Sequence, residues 1–99
     1  MNAAASIALT GMNAAQHTLR SHAHNLANLG TEGFRRERTL QATAPGGGTS
    51  TAVAQLPVAG AAMAEDLVGQ MQASHAFAAN LAVFKTARQM SQTLLDLQA

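Results

Sequence analysis

The chain reads as a mainly α protein: two long antiparallel helices, a helical hairpin of coiled-coil character, joined by a small β-hairpin or extended loop. Three observations predict this. Residues 1–29 carry apolar side chains at helical spacing, and residues 61–97 do so again with Gly69 as their one glycine and no proline. The stretch between them alternates its side chains around Ala44-Pro45-Gly46-Gly47-Gly48, a turn by composition. At 99 residues the chain has room for a single domain, with helix 1 at about 3–29, a turn and β-hairpin at about 30–60, and helix 2 at about 61–97.

Helix 1 rests on a heptad seam. Met1, Ala5, Ala8, Met12, Ala15, Leu19, His22, Leu26 and Leu29 follow one another at alternating steps of four and three. Asn2 or Ser6 offers a cap at the start, and Gly30 offers the left-handed residue that commonly ends a helix. Gly11 costs about 1 kcal/mol relative to alanine, so either the first turns fray or Gly11 serves a close contact. The first ten residues are expected to stay disordered until a partner covers them.

From Phe34 to about Thr43 the period changes to two, with Phe34, Arg36, Arg38 and Leu40 on one side and Arg35, Glu37, Thr39 and Gln41 on the other. A second extended run, Thr51 to Val58, completes a β-hairpin, and Pro57 belongs at its edge or end because proline has no N–H for a ladder. A lone two-stranded hairpin is marginal in water, so it is expected to lean on a helix or on a neighbouring molecule.

Helix 2 carries two apolar stripes. Leu67, Met71, Ser74, Ala78 and Leu81 form one; Phe77, Leu81, Phe84, Ala87, Ser91 and Leu94 form the other. One can pack on helix 1 and the other on a second surface. Glu65 and Asp66 sit in the first turns, where negative charge suits the helix dipole.

Composition excludes several function classes. The absence of cysteine removes disulfides, thiolate metal sites and thiol nucleophiles. A net charge of +1 does not point to nucleic acid, and Arg20, Arg35, Arg36 and Arg38 read as a solvated cluster past a helix end; a DNA-binding hairpin would need far more. No run approaches the ~18 apolar residues of a membrane span. The N-terminus lacks the basic and apolar segments of a signal peptide, so export by a cleaved signal is not expected. Among the acids Glu32, Glu37, Glu65, Asp66 and Asp96, none pairs with a histidine at metalloprotease spacing, and Gly46–Gly48 lacks the Lys-Ser/Thr of a phosphate loop. The expectation is no enzyme, no cofactor, no metal and no small-molecule substrate. With only 11% charged residues and 23 alanines, the surface is short of charge, which points to burial against copies or partners.

Two stretches carry a resemblance. Asn25, Leu26, Ala27 and Asn28 close helix 1, and Thr31, Gly33, Phe34 and Arg35 follow as Thr-x-Gly-Phe-Arg. Near the other end stand Phe77, Asn80, Leu81, Phe84, Thr86, Ala87, Met90, Thr93, Leu94 and Leu95. Both patterns, in this order, resemble the rod and hook proteins of the bacterial flagellum, the axial family of the basal body. The resemblance implies a structural subunit of the basal-body rod that self-assembles through its N- and C-terminal helices with copies of itself or other flagellar axial proteins. It also implies a periplasmic rod location, reached through the flagellum's own export apparatus without a cleaved signal. Where that family places outer domains, this chain has a short hairpin. A second reading is a soluble helical-hairpin module that associates with rod or export components without joining the rod.

The same residues have plainer roles. Asn25 and Asn28 are suited to capping the helix or to contacting a neighbour. Gly33 fits a positive-φ turn and Phe34 an anchor on the helix. His22, at a core-like heptad position, reads as a hydrogen-bonded packing residue or register device; His17 and His24 share a face but lack a third metal ligand. Met12, Met71 and Met90 are core filler or adaptable interface.

Overall fold

A computed structural model describes residues 3–98. Their order is α1 (Ala3–Ala27), β1 (Glu37–Thr43), β2 (Thr49–Gln55) and α2 (Met63–Gln98). Met1 and Asn2, expected to open the heptad and to cap it, lie outside the described residues. α1 is already helical at Ala3, so Ser6 stands inside the helix and is not its cap. The early turns are packed: Ala5 and Ala8 are buried, and Ala4 borders a groove with Val83 and Ala87 of α2. The partner expected for the first ten residues is thus the chain's own second helix.

α1 and α2 meet along most of α1 and run in opposite directions. Asn25 touches Asp66, His22 lies over Gly69, and Asn80 lies over Gly11, a constant offset along both helices. Small residues make this close approach possible, since the core consists of Ala5, Ala8, Met12, Ala14, Ala15, Ala73 and Ala87. The buried line follows the heptad only as far as Ala15. Leu19 and Leu29 are exposed, while Ser21 and Asn25 are buried in their place. A straight helix of 3.6 residues per turn drifts about 20° per heptad from a strict seven-residue repeat, and here the drift carries the seam toward the hairpin.

Gly30 does not end α1 in the left-handed region; it is absent from the positive-φ residues. The helix closes instead by tightening, with Asn28 N–H donating to Asn25 O at 3.2 Å and Leu29 N–H to Leu26 O at 3.3 Å. Gly33 does take a positive φ of 74°, and it redirects the chain toward β1.

β1 and β2 pair antiparallel from Glu37↔Gln55 to Thr43↔Thr49. The strands are shifted from the period-two pattern: β1 begins later, with Phe34 to Arg36 lying before it, while β2 begins earlier, at Thr49, and ends earlier, so that Pro57 falls past its end. Gly46, Gly47 and Gly48 all have φ between 85° and 102°, which is why three glycines stand at the tip. The hairpin lies on α1, and it does so with its polar side. Thr39 donates to His17 O at 3.1 Å and shares a hydrogen bond with Ser21 at 2.7 Å, Gln41 reaches Thr18 at 3.0 Å, and Thr49 N–H donates to Thr10 Oγ1 at 3.1 Å. Leu40 and its register partner Ala52 face outward, Leu40 being 44% exposed.

Candidate functional site

The Asn25 to Arg36 stretch forms a joint between all the other elements, and its centre is the Asn25 side chain. Asn25 is 2% exposed. Its Oδ1 accepts from Glu37 N–H at 2.7 Å and its Nδ2 donates to Glu37 O at 2.9 Å, so one side-chain amide pairs with one backbone unit as a neighbouring strand would. This fixes where β1 starts relative to α1. A C-terminal capping role fits Asn28 alone, which donates to His24 O at 2.8 Å and accepts from Thr31 Oγ1 at 3.2 Å. Phe34 meets the His24 ring edge-on with centroids 5.3 Å apart, anchoring the turn on α1, and Arg35 Nε donates to Leu56 O at 2.6 Å to close the foot of the hairpin.

The same Asn25 amide reaches α2, donating to Asp66 Oδ1 at 3.1 Å. Asp66 is fully buried. It also accepts from Arg36, Nη2 to Oδ1 at 2.8 Å and Nε to Oδ2 at 3.1 Å, and from His22 Nδ1 at 2.8 Å. The Arg36 fork is bidentate, and an ionised carboxylate can only accept, so the His22 proton resides on Nδ1. Burial pushes the Asp66 carboxyl upward, but the hydrogen bonds from Arg36, His22 and Asn25 outweigh it and hold its pKa below the ordinary carboxylate value. Arg36 is raised in return, mainly by its hydrogen bond to Asp66 and against its own desolvation. One carboxylate therefore ties together α1, the approach to β1 and the first turn of α2.

Two glycines set the register of the helix pair. A Cβ on Gly69 would overlap the His22 ring, and a Cβ on Gly11 would stand 2.5 Å from Asn80 Oδ1. Each helix thus offers one notch and fills the other's. His22 acts as the register device its heptad position implies, and Gly11 serves a close contact. Asn80 is pinned over its notch by a hydrogen bond to Ala76 O at 2.8 Å.

Arg36, Asp66 and Gly69 escaped notice as a group in the sequence. Arg36 looked like one of a solvated cluster and Asp66 like a dipole partner. The available signal was scarcity: one of five acids stands beside the sole glycine of a long Ala-rich helix. The two motif stretches do not meet. Asn25 faces Asp66 at one end of the pair, while Asn80 faces Gly11 and Ala87 lies near Ala4 at the other.

In the C-terminal stretch, Ala87 is buried and Phe77, Leu81 and Phe84 are half-buried on or beside the α1 side. Thr86 is exposed, and Met90, Leu94 and Leu95 are 62%, 59% and 67% exposed. The constant offset sets Ala3 level with Arg88, so the last ten or so described residues of α2, about 15 Å of helix, extend beyond Ala3, the first described residue of α1. The stripe from Leu67 through Met71, Ser74 and Ala78 is likewise exposed. Among the described residues no three metal-ligating side chains converge, and no helix is long and apolar enough to cross a membrane.

Residues 59–97, which span nearly all of α2, match the family model described as flagellar basal body rod FlgEFG protein C-terminal. The match supports the rod-family resemblance read from the C-terminal stretch; Asn25 to Arg35 lie outside it. No curated protein matches the chain.

Proposed function

We propose that this chain is a structural subunit of the flagellar basal-body rod, a single folded unit that joins copies of itself and other axial proteins through α1 and α2. The observation that carries the reading is the coincidence of the rod-family match with the long, bare helix α2. Exposed apolar side chains in such number on one element are what an assembly interface requires: Met63, Leu67, Val68, Met71, Val83, Met90, Leu94, Leu95 and Leu97 are all 46% exposed or more. Taking an apolar side chain of this size from full exposure to full burial contributes about 1.5 to 3 kcal/mol, and roughly half of that remains for one already half-covered. A neighbour must therefore cover most of these nine to offset a loss of translational and rotational freedom of about 4 to 15 kcal/mol.

The assembly residues on this reading are the exposed C-terminal set of Thr86, Met90, Leu94 and Leu95. Asn25, Asn28, Gly33, Phe34 and Arg35 hold the subunit's shape, and Phe77, Asn80, Leu81, Phe84 and Ala87 hold α1 to α2. The rod lies in the periplasm, and on this reading the chain reaches it through the flagellar export apparatus without a cleaved signal. Mass spectrometry of purified basal bodies, from cells that express the chain, is expected to recover it in amounts comparable to other rod proteins. Basal bodies without it, together with a soluble complex between this chain and a rod or export protein, would replace the subunit reading with that of a binding module.

A further inference from the structure

We propose that the outer edge of β2 is a docking edge for the same edge of a second copy, pairing two hairpins into one four-stranded antiparallel sheet. The backbone hydrogen bonds at the two ends of the ladder fix which groups point where. Leu56 N–H donates to Arg36 O at 2.8 Å and Ala44 N–H to Gly48 O at 3.0 Å, so the even-numbered residues of the hairpin exchange hydrogen bonds with each other. The odd-numbered residues therefore direct N–H and C=O away from the partner strand.

The two edges differ in charge. On β1 the outward groups of Glu37 are both taken by the Asn25 amide, and although Thr39, Gln41 and Thr43 also have outward groups with no partner among the described residues, Glu37 and Arg38 put charge on that strand. On β2 the outward N–H of Thr49 is taken by Thr10 Oγ1, and position 57, where the next N–H but three in that row would stand, is proline. Between these limits Thr51, Val53 and Gln55 present three N–H and three C=O groups for which the described residues supply no partner. The strand Thr49–Gln55 reads TSTAVAQ, without a charge, a proline or a bulge, which are the devices that keep strand edges from pairing.

The edge is complementary to itself. A two-fold axis at Val53 sets Val53 against Val53 of the second copy and Thr51 against Gln55, so all six outward groups are satisfied by six hydrogen bonds and no like charges meet. The pairing continues the ladder already present between β1 and β2. Strands about 4.8 Å apart place two hairpins about 10 Å apart centre to centre, and α1, which lies under both strands of its own hairpin, would come to about the spacing of packed helices beside its copy. The inference stands apart from the rod reading, which basal-body composition tests by itself.

The experiment is sedimentation of the purified full chain over a concentration series, with Val53→Pro beside it. Val53→Pro removes the outward N–H at the axis, and with it two of the six intermolecular bonds, while every hydrogen bond from β1 to β2 remains. The wild type is expected to form dimers, and Val53→Pro to weaken them at least ten-fold with unchanged helical circular dichroism. Because the chain contains no cysteine, Val53→Cys supplies a unique thiol that should oxidise to a covalent dimer, whereas Arg38→Cys on β1 should not. A wild type that stays monomeric to millimolar concentration, dimers unaffected by Val53→Pro, or equal crosslinking at positions 53 and 38 would each overturn the proposal.

Discussion

Replacing Gly69 by alanine isolates the register lock between the helices. In an exposed helix the change would stabilise by about 1 kcal/mol, because alanine is the better helix former. Here the new methyl group occupies the space of the His22 ring. The ring is the far end of a side chain and can swing away, but doing so breaks its 2.8 Å hydrogen bond to the buried Asp66 carboxylate. A hydrogen bond to a charged group contributes about 1.5 to 3 kcal/mol, so the net effect is a loss of about 0.5 to 2 kcal/mol. For a domain of this size that corresponds to a fall in Tm of roughly 2 to 16 °C. Thermal or urea unfolding followed by circular dichroism at neutral pH and fixed protein concentration measures it. The control is His22→Ala: in that background the notch is empty, and Gly69→Ala should stabilise by up to about 1 kcal/mol. If Gly69→Ala raises the stability of the wild-type chain, or if the two substitutions simply add, the lock does not exist as described.

Asp66→Ala should be the most damaging change at the joint. It strands Arg36 and the Asn25 amide at a largely buried site, at a cost of about 3 kcal/mol or more, seen as a large drop in the urea midpoint. Acid should act through the same carboxylate. Its folded pKa lies below the unfolded value, so its contribution is complete above the unfolded value, the ordinary carboxylate pKa, and is lost as pH falls through the folded one; unfolding titrations below pH 4 should show the loss in the wild type and a shallower slope in Asp66→Asn. Asn25→Ala removes the clamp on Glu37 and should raise amide exchange in β1 far more than in the middle of α2, as read by hydrogen exchange. Leu94→Asp with Leu97→Asp should leave unfolding within about 0.5 kcal/mol of wild type, since both side chains are exposed, yet exclude the chain from purified basal bodies.

Helices and hairpin were legible because each is written in local chemistry. Alanine-rich runs with apolar side chains at steps of three and four can satisfy their backbone only as helices, and Gly46-Gly47-Gly48 can turn where no other residues would. Gly33, Phe34 and Asn28 carried their roles for the same reason, each acting within a turn or two of its own position. Gly30 was the local signal that misled, because the tightened turn at Asn28 and Leu29 ends α1 before a left-handed residue is needed.

What depended on long-range placement was not legible. The hairpin's polar side turns inward because α1 offers it hydroxyls and carbonyls at Thr10, His17, Thr18 and Ser21, a choice set by the opposing surface and not by the strand's own alternation. Asp66 becomes the centre of the molecule because three donors from two other elements, 30 to 44 residues away along the chain, converge on it. By itself the sequence determined two helices, a glycine turn and a surface short of charge. The tertiary structure decided which of their faces stay bare: a carboxylate can be buried only where its partners gather, and the register of the glycine notches sets which residues of α2 lie against α1.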